Sequence, residues 1–273
     1  MKCDVCPHGC APAEGQTGYC RARARHGETT VPENHGLITS LALDPIEKKP
    51  LSMFMPGSYI LSLGSYGCNL RCPWCQNHEI SQADSFTGAS CISPEEAVET
   101  ALGLRSSGNV GIAYTYNEPL ICWEYVAKTG ALARENGLVN VLVTNGCFNE
   151  GVAEAVLPLT DAANIDLKVF SEEGYRRIGG DLTTVLSFIG KAVDLGVHVE
   201  LTTLIVPGVN DDEVMMEDEA RYIASVDPEI PLHVTRFFPR YRMTGTGPTP
   251  VKTVIRMADI ASGWLKNVFT GNI

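Results

Sequence analysis

The sequence predicts an α/β protein: a partial (β/α)6 TIM-like barrel with a small Cys-rich metal-binding knuckle at its N-terminus. Three observations predict this. From residue 58 onward, six short apolar runs alternate with amphipathic stretches of helical length. Those runs lack clean polar–apolar alternation, as strands do when both faces of a parallel sheet are covered. Seven of the ten cysteines crowd into residues 3–20 and 68–75. Several of their gaps are two or three residues, which in a reducing compartment suit metal ligands better than disulfides.

The elements follow in order. Residues 1–26 are rich in Cys, Gly and Arg with little apolar periodicity, so they are expected to fold around metal. Cys3, Cys6, Cys10 and Cys20 are spaced C-x2-C-x3-C-x9-C and supply enough thiolates to close a tetrahedral site. Gly9, Gly15 and Gly18 permit the tight turns this needs. Zinc and an iron–sulfur cluster both fit the spacing, and a closed site would serve structure or electron relay. Residues 27–57 read as connecting chain punctuated by Pro32, Pro45, Pro50 and Pro56.

The barrel is expected over 58–273. Its strands are "YILSLGSY", "VGIAYTY", "NVLVTN", "AANIDLKV", "VHVELTTLIV" and "PLHVTRFF". The clearest helix opens at "SPEE", where Ser93 is a good N-cap, Pro94 fits the first helical position and Glu96 can complete a capping box. Others are expected at about 119–136, 149–158, 181–195, 213–225 and 252–267. Six units fall short of the eight of a closed barrel. A doubly wound sheet is the alternative, and in either case chemistry belongs at the C-terminal strand ends. There lie a cysteine loop, "NEP", "TNG", "DLK" and "RFFPRY".

Composition narrows the function class. A net charge of −11 without a basic tract argues against general nucleic-acid binding. Arg236, Arg240 and Arg242 form a local basic patch suited to a carboxylate or phosphate. No apolar run reaches membrane-span length and the N-terminus has no apolar signal core, so a cytoplasmic protein is expected. Cys91, Cys122 and Cys147 are scattered and are expected to be small buried apolar residues.

"GCNLRCPWCQN" at 67–77 places Cys68, Cys72 and Cys75 within eight residues. A four-iron cluster held by three thiolates keeps one iron free of protein ligands. Structural zinc would need a fourth ligand, which His78 could supply. Spacing alone leaves both open.

This C-x3-C-x2-C motif after the first barrel strand resembles the signature of the radical S-adenosylmethionine (SAM) enzymes. The stretches "DPIEKKPLSMFMPGSYILSLGSYGCNLRCPWCQNHEIS", "GIAYTYNEP" and "HVTRFFPRYRM", with the opening "CDVCPHGC…GQTGYC", resemble its AmmeMemoRadiSam-system subgroup. Members of that subgroup are often named pyruvate formate-lyase activating-enzyme homologues. The resemblance covers nearly the whole chain. It implies a [4Fe–4S] cluster on Cys68, Cys72 and Cys75, with SAM chelating the fourth iron. It implies anaerobic oxidoreductase chemistry: reduction by a flavodoxin- or ferredoxin-type donor, SAM cleavage, and hydrogen abstraction by a 5′-deoxyadenosyl radical.

The same resemblance assigns the strand ends. Trp74, between two ligands, is suited to pack on the cluster or the adenine, or to serve as ordinary core. In "TYNEP", Glu118 keeps the carboxylate of the relatives' Gly-Gly-Glu-Pro motif, which holds the SAM amino group, and Asn117 replaces a glycine. Thr144, Asn145, Asp166 and Lys168 are expected to face the same pocket, Lys168 toward the SAM carboxylate and Asp166 toward a ribose hydroxyl or cation. Val143 stands where glycyl-radical activases carry an Asp, so one carboxylate of their cation site is missing. Thr202 takes the place of their strand-five arginine. Arg236 and Tyr241 are expected to contact SAM or substrate. The substrate is expected to be a protein or peptide, with a small molecule or RNA as the alternative. A zinc-stabilised binding protein without catalysis is the reading from another class.

Overall fold

The computed structural model describes residues 2–85 and 88–273. Up to Ala22 the chain turns without regular helix or strand, and a hairpin of β1 (Arg23–His26) and β2 (Thr29–Pro32) follows. β3 (Leu37–Ile38) leads into β4 (Ser40–Pro45) and β5 (Tyr59–Gly64). The short α1 (His78–Ser81) closes the cysteine loop, and β6 (Ser90–Cys91) pairs with β3. The alternating part then runs α2 (Pro94–Gly103), β7 (Asn109–Tyr114), α3 (Trp123–Glu135), β8 (Val139–Thr144) and α4 (Glu150–Val156). It continues through β9 (Ala162–Asp166), α5 (Glu172–Arg177), α6 (Leu182–Asp194) and β10 (His198–Ile205). It ends with α7 (Glu213–Val226), β11 (Leu232–Arg236), α8 (Val251–Ala261) and β12 (Val268–Gly271).

The main sheet has eight strands in the order β12-β11-β10-β9-β8-β7-β5-β4. Every neighbouring pair is parallel except β4 with β5. β4 and β12 do not pair with each other, so the barrel is partial and open. The six expected strands form its continuous parallel middle. Ser93 caps α2 as expected: its side chain accepts from Glu96 N while the Glu96 carboxylate accepts from Ser93 N at 2.7 Å.

Several elements differ from the sequence reading, the short β1, β2, β3, α1 and β6 among them, and four others bear on the main sheet or the helices around it. β4 lies inside the stretch expected to be connecting chain; its Pro45 is tolerated because it ends an edge strand. β12 extends the sheet from a short, half-buried segment that has no apolar run to announce it. α8 stops at Ala261, six residues before its expected end. α5 was not anticipated because Gly174 interrupts it, and a Cβ there would lie 2.7 Å from Val169. Cys122 and Cys147 are buried as expected, whereas Cys91 is exposed on the two-residue β6.

Two cores hold the fold. The larger packs helices on the outside of the sheet. The smaller lies inside the barrel, where Ile60, Ala113, Val141 and Ala162 meet Ile46 and Leu51. All six are fully buried, each larger side chain contributing about 1.5–3 kcal/mol by removal from water. The segment from 46 to 53 therefore plugs the barrel floor. Glu200 secures it by accepting from Ser52 N at 2.9 Å and Met53 N at 2.8 Å.

Candidate functional site

The cysteine loop leaves the C-terminal end of β5. Gly67, at φ +86, makes the turn possible: a Cβ there would sit 2.7 Å from Cys20 O and 2.9 Å from Ile121. Leu70 N donates to Cys68 Sγ at 3.3 Å, and Asn145 Nδ2 approaches the same sulfur at 3.8 Å. Cys75 N closes a turn onto Cys72 O at 3.2 Å, and Cys75 Sγ lies 3.1 Å from Ser81 Oγ. All three thiols are free. Burial pushes the Cys72 thiol up to about 12, and burial with the neighbouring Glu118 carboxylate pushes Cys68 well above the ordinary range. An unaided pocket thus disfavours three thiolates in one loop, and a cationic metal centre would reverse that.

Glu118 comes from the end of β7 and is 2% exposed. Thr144 Oγ donates to its Oε1 at 2.7 Å and Asn145 N to its Oε2 at 2.8 Å. Leu120 N also donates to Oε1, at 3.2 Å. Burial outweighs these donors and raises the carboxyl to about 7. Among the described residues no cation bonds to it, and each partner is a neutral donor.

At the end of β9, Asp166 and Lys168 pair at 2.8 Å, both partly exposed. Burial works against the Lys168 ammonium, but Asp166 and the Cys72 sulfur hold its pKa raised. A carboxylate collar on one side of the loop thus faces an ion pair on the other. Asn145 ties the Glu118 collar to the cysteine loop: Nδ2 donates to Asn69 Oδ1 at 2.8 Å while Oδ1 accepts from Cys147 N at 2.9 Å.

The other expected residues occupy defined places. Asn117 braces the cysteine loop: Oδ1 accepts from Ser65 N at 2.9 Å, and Nδ2 donates to Tyr66 O and Gly67 O at 3.1 and 3.2 Å. Trp74 is buried in the large core. Thr202 donates to Asn164 Oδ1 at 3.0 Å inside the barrel, and Asn164 in turn donates to Pro50 O. Arg236 donates to Thr249 O at 2.7 Å and stacks on Phe238. Tyr241 stacks on His78 with ring centroids 4.5 Å apart, and Arg242 N fastens this segment to Pro73 O at 3.0 Å. His78 therefore faces Tyr241. Among the described residues, no three Cys, His, Asp or Glu side chains converge tightly enough to hold a single metal ion.

One cluster below the site escaped the sequence reading. Tyr116 OH donates to Asp44 Oδ2 at 2.5 Å, and the buried Lys49 donates to the same oxygen at 2.9 Å. Lys49 Nζ also lies 4.7 Å from the Tyr116 ring centre. The one signal was Tyr116 inside "TYNEP"; its φ of +71 became visible only in three dimensions.

Residues 63–219 match the radical SAM superfamily. The chain belongs to that superfamily. Superfamily membership implies a [4Fe–4S] cluster and SAM as cofactors, and the three free thiols of one loop, Cys72 buried and Cys68 and Cys75 partly so, are a donor set that fits such a cluster. An uncharacterised protein of Methanocaldococcus jannaschii is 39% identical over all of this chain and 81% of its own length. A pyruvate formate-lyase-activating enzyme of Clostridium pasteurianum is 28% identical over 59% of this chain and 67% of its own. A GTP 3′,8-cyclase of Lactiplantibacillus plantarum is 30% identical over 54% of this chain, which spans under half of that relative. Among solved structures, a domain of a pyruvate formate-lyase-activating enzyme from Bacteroides vulgatus superposes with TM-score 0.52 at 16% identity. It covers 59% of this chain and 99% of that domain. Escherichia coli QueE gives 0.53 at 15% identity over 86% and 92%. These likenesses establish the barrel. Among the described residues no helix is long and apolar enough to cross a membrane.

Proposed function

We propose that Cys68, Cys72 and Cys75 hold a [4Fe–4S] cluster and that SAM lies across the adjacent strand ends, for use on a protein or peptide substrate. The observation that carries this reading is Glu118: a buried carboxylate next to the cysteine loop whose bonded partners are all neutral. A group of that kind is suited to an incoming ammonium such as the amino group of SAM. Lys168 is the matching cation for its carboxylate, and Asp166 is placed to accept from a ribose hydroxyl once Lys168 turns to the ligand. Bound together, cluster and SAM supply reductive cleavage of the sulfonium and the hydrogen-atom abstraction that follows.

The residues of this chain bind and orient. Thr144, Asn145 and Leu120 fix the Glu118 carboxylate from three sides, so it needs no reorganisation on binding. Asn117 clamps the backbone leading into the cysteine loop, Asn145 holds the Asn69 side chain within it, and the buried Trp74 and Leu70 pack the loop against water. Arg236, at the end of β11, and Tyr241, in the segment that follows, are the residues proposed to contact SAM or substrate from that side. Electrons would come from a low-potential flavodoxin or ferredoxin. The protein-substrate reading is supported by the activating-enzyme relatives, which align over most of their own length. The cyclase relative, aligned over 54% of this chain, supports the small-molecule alternative.

Anaerobically reconstituted protein should form 5′-deoxyadenosine from SAM and dithionite, and Cys72→Ala should abolish it. Colourless protein without that product sinks the enzyme reading. Incubation with candidate glycyl-radical partners should give a glycyl paramagnetic signal on one of them. Turnover with a nucleotide and no protein signal would favour the small-molecule reading instead.

A further inference from the structure

The first 20 residues carry four cysteines that the site above does not use. Cys3, Cys6, Cys10 and Cys20 line one cavity, together with Gly18 and Arg23, of about 350 Å³ counting its open mouth. All four are free although they share this cavity. A backbone amide points at one of the sulfurs: Tyr19 N donates to Cys10 Sγ at 3.3 Å. Gly18 allows the chain to pass: a Cβ there would lie 3.2 Å from Cys10 Sγ. Amide donors arrayed on sulfur are how a protein stabilises metal-bound thiolates and tunes a cluster potential.

The metal class follows from the spread of the sulfurs. Tetrahedral zinc would draw four sulfurs to about 2.3 Å from one point. No three of these side chains converge in that way among the described residues. In a cluster each thiolate binds its own iron, so the sulfurs stand further apart around a larger body.

The knuckle is fastened to the other cysteine loop. Cys68 N donates directly to Cys20 O at 3.2 Å. Arg71 bridges the same seam, donating to Tyr19 O and to Cys68 O while stacking 4.1 Å over the Tyr19 ring. His8 stacks on the other side of this group, with centroids 3.9 Å apart, and its Nε2 contacts Asn69 O at 2.9 Å. One hydrogen bond therefore separates a ligand residue of one cysteine set from a ligand residue of the other. Cys3 and Cys10 are partly exposed, whereas Cys6 and Cys20 are buried.

We propose that Cys3, Cys6, Cys10 and Cys20 hold a second iron–sulfur cluster, coupled through Cys20 and Cys68 to the loop, as the entry point for electrons from a low-potential one-electron donor protein. The donor is oxidised by one electron and the N-terminal cluster is reduced by one. The electron leaves at Cys20, with no bond made or broken and no proton moved. The coupling rests on the loop holding its own cluster; the metal class does not.

The test uses the full chain, reconstituted anaerobically, as wild type and as Cys68→Ala/Cys72→Ala/Cys75→Ala. The triple variant should keep about four iron and four sulfide per chain, half the wild-type content of about eight each. One zinc and background iron in the triple variant overturns the proposal. If that variant does not fold, wild type with about four iron and one zinc overturns it equally. Identical iron in both proteins would instead condemn the loop reading. In the reduced wild type, electron paramagnetic resonance should show splitting from two interacting spins, absent in the triple variant. Two independent, unsplit signals would overturn the coupling.

Discussion

Two buried carboxylates sit at opposite ends of the barrel and are treated in opposite ways. Glu200, near the start of β10, accepts from Ser52 N and Met53 N and lies 3.0 and 2.7 Å from the ring nitrogens of His198 and His233. Burial alone would raise its carboxyl, but these partners hold it down at about 2. Glu118, at the end of β7, receives neutral donors alone, and burial lifts it to about 7. The floor carboxylate has its complement of partners and locks the plug. The rim carboxylate is anchored but uncompensated, the state of a group awaiting a cation. The same residue type is fully partnered at one end of the barrel and held by neutral donors at the other.

The comparison can be broken from its stronger side first. Glu200→Ala leaves two histidines and two amides without their common acceptor. It should cost about 3–5 kcal/mol of stability in urea unfolding, with no change in the loop's iron content. A loss under about 1 kcal/mol would mean the floor network is dispensable.

The second test is the acid–base signature. A carboxyl raised in the folded state contributes stability that is full below its ordinary value and fades as pH rises through its folded value. Glu118 should therefore contribute a fall of about 3 kcal/mol in metal-free protein as pH rises from 4.5 to about 7. Glu118→Gln should remove that slope. Glu200 works in the opposite sense: its support is complete above 4.5 and is lost as pH falls toward about 2. Unfolding curves at pH 5 and pH 7.5 for wild type and Glu118→Gln decide it; equal slopes would break the contrast.

In reconstituted protein, the same Glu118→Gln change should weaken SAM by roughly 10- to 100-fold, the worth of one charged hydrogen bond. Equilibrium dialysis measures it, and unchanged affinity would remove Glu118 from the SAM site. The smallest effect belongs to Thr144→Val, which deletes one donor to Glu118. It should shift the pH midpoint of SAM binding upward and weaken binding at neutral pH by about 1 kcal/mol. A downward shift would contradict the donor role of Thr144.

Much of the site's chemistry was legible because its ligands are local. Three thiols in eight residues must share a neighbourhood whatever the rest of the chain does. The six apolar runs likewise announced the parallel middle of the sheet. Its edges stayed hidden, since β4 and β12 are half-buried and need no continuous apolar run. Asn117 illustrates a different gap. Its position was plain, but bracing Ser65, Tyr66 and Gly67 depends on a contact about 50 residues away along the chain.

The sequence by itself determined the close grouping of the cysteines, the barrel class and the strand ends where polar groups collect, because residue spacing and strand periodicity are set by neighbours along the chain. Only the tertiary structure decided which polar groups meet. It gave Glu118 its neutral collar, placed Tyr116 and Lys49 on Asp44, and set Cys20 against Cys68. Those pairings join residues tens of positions apart, and their energies come from burial and geometry that no linear spacing encodes.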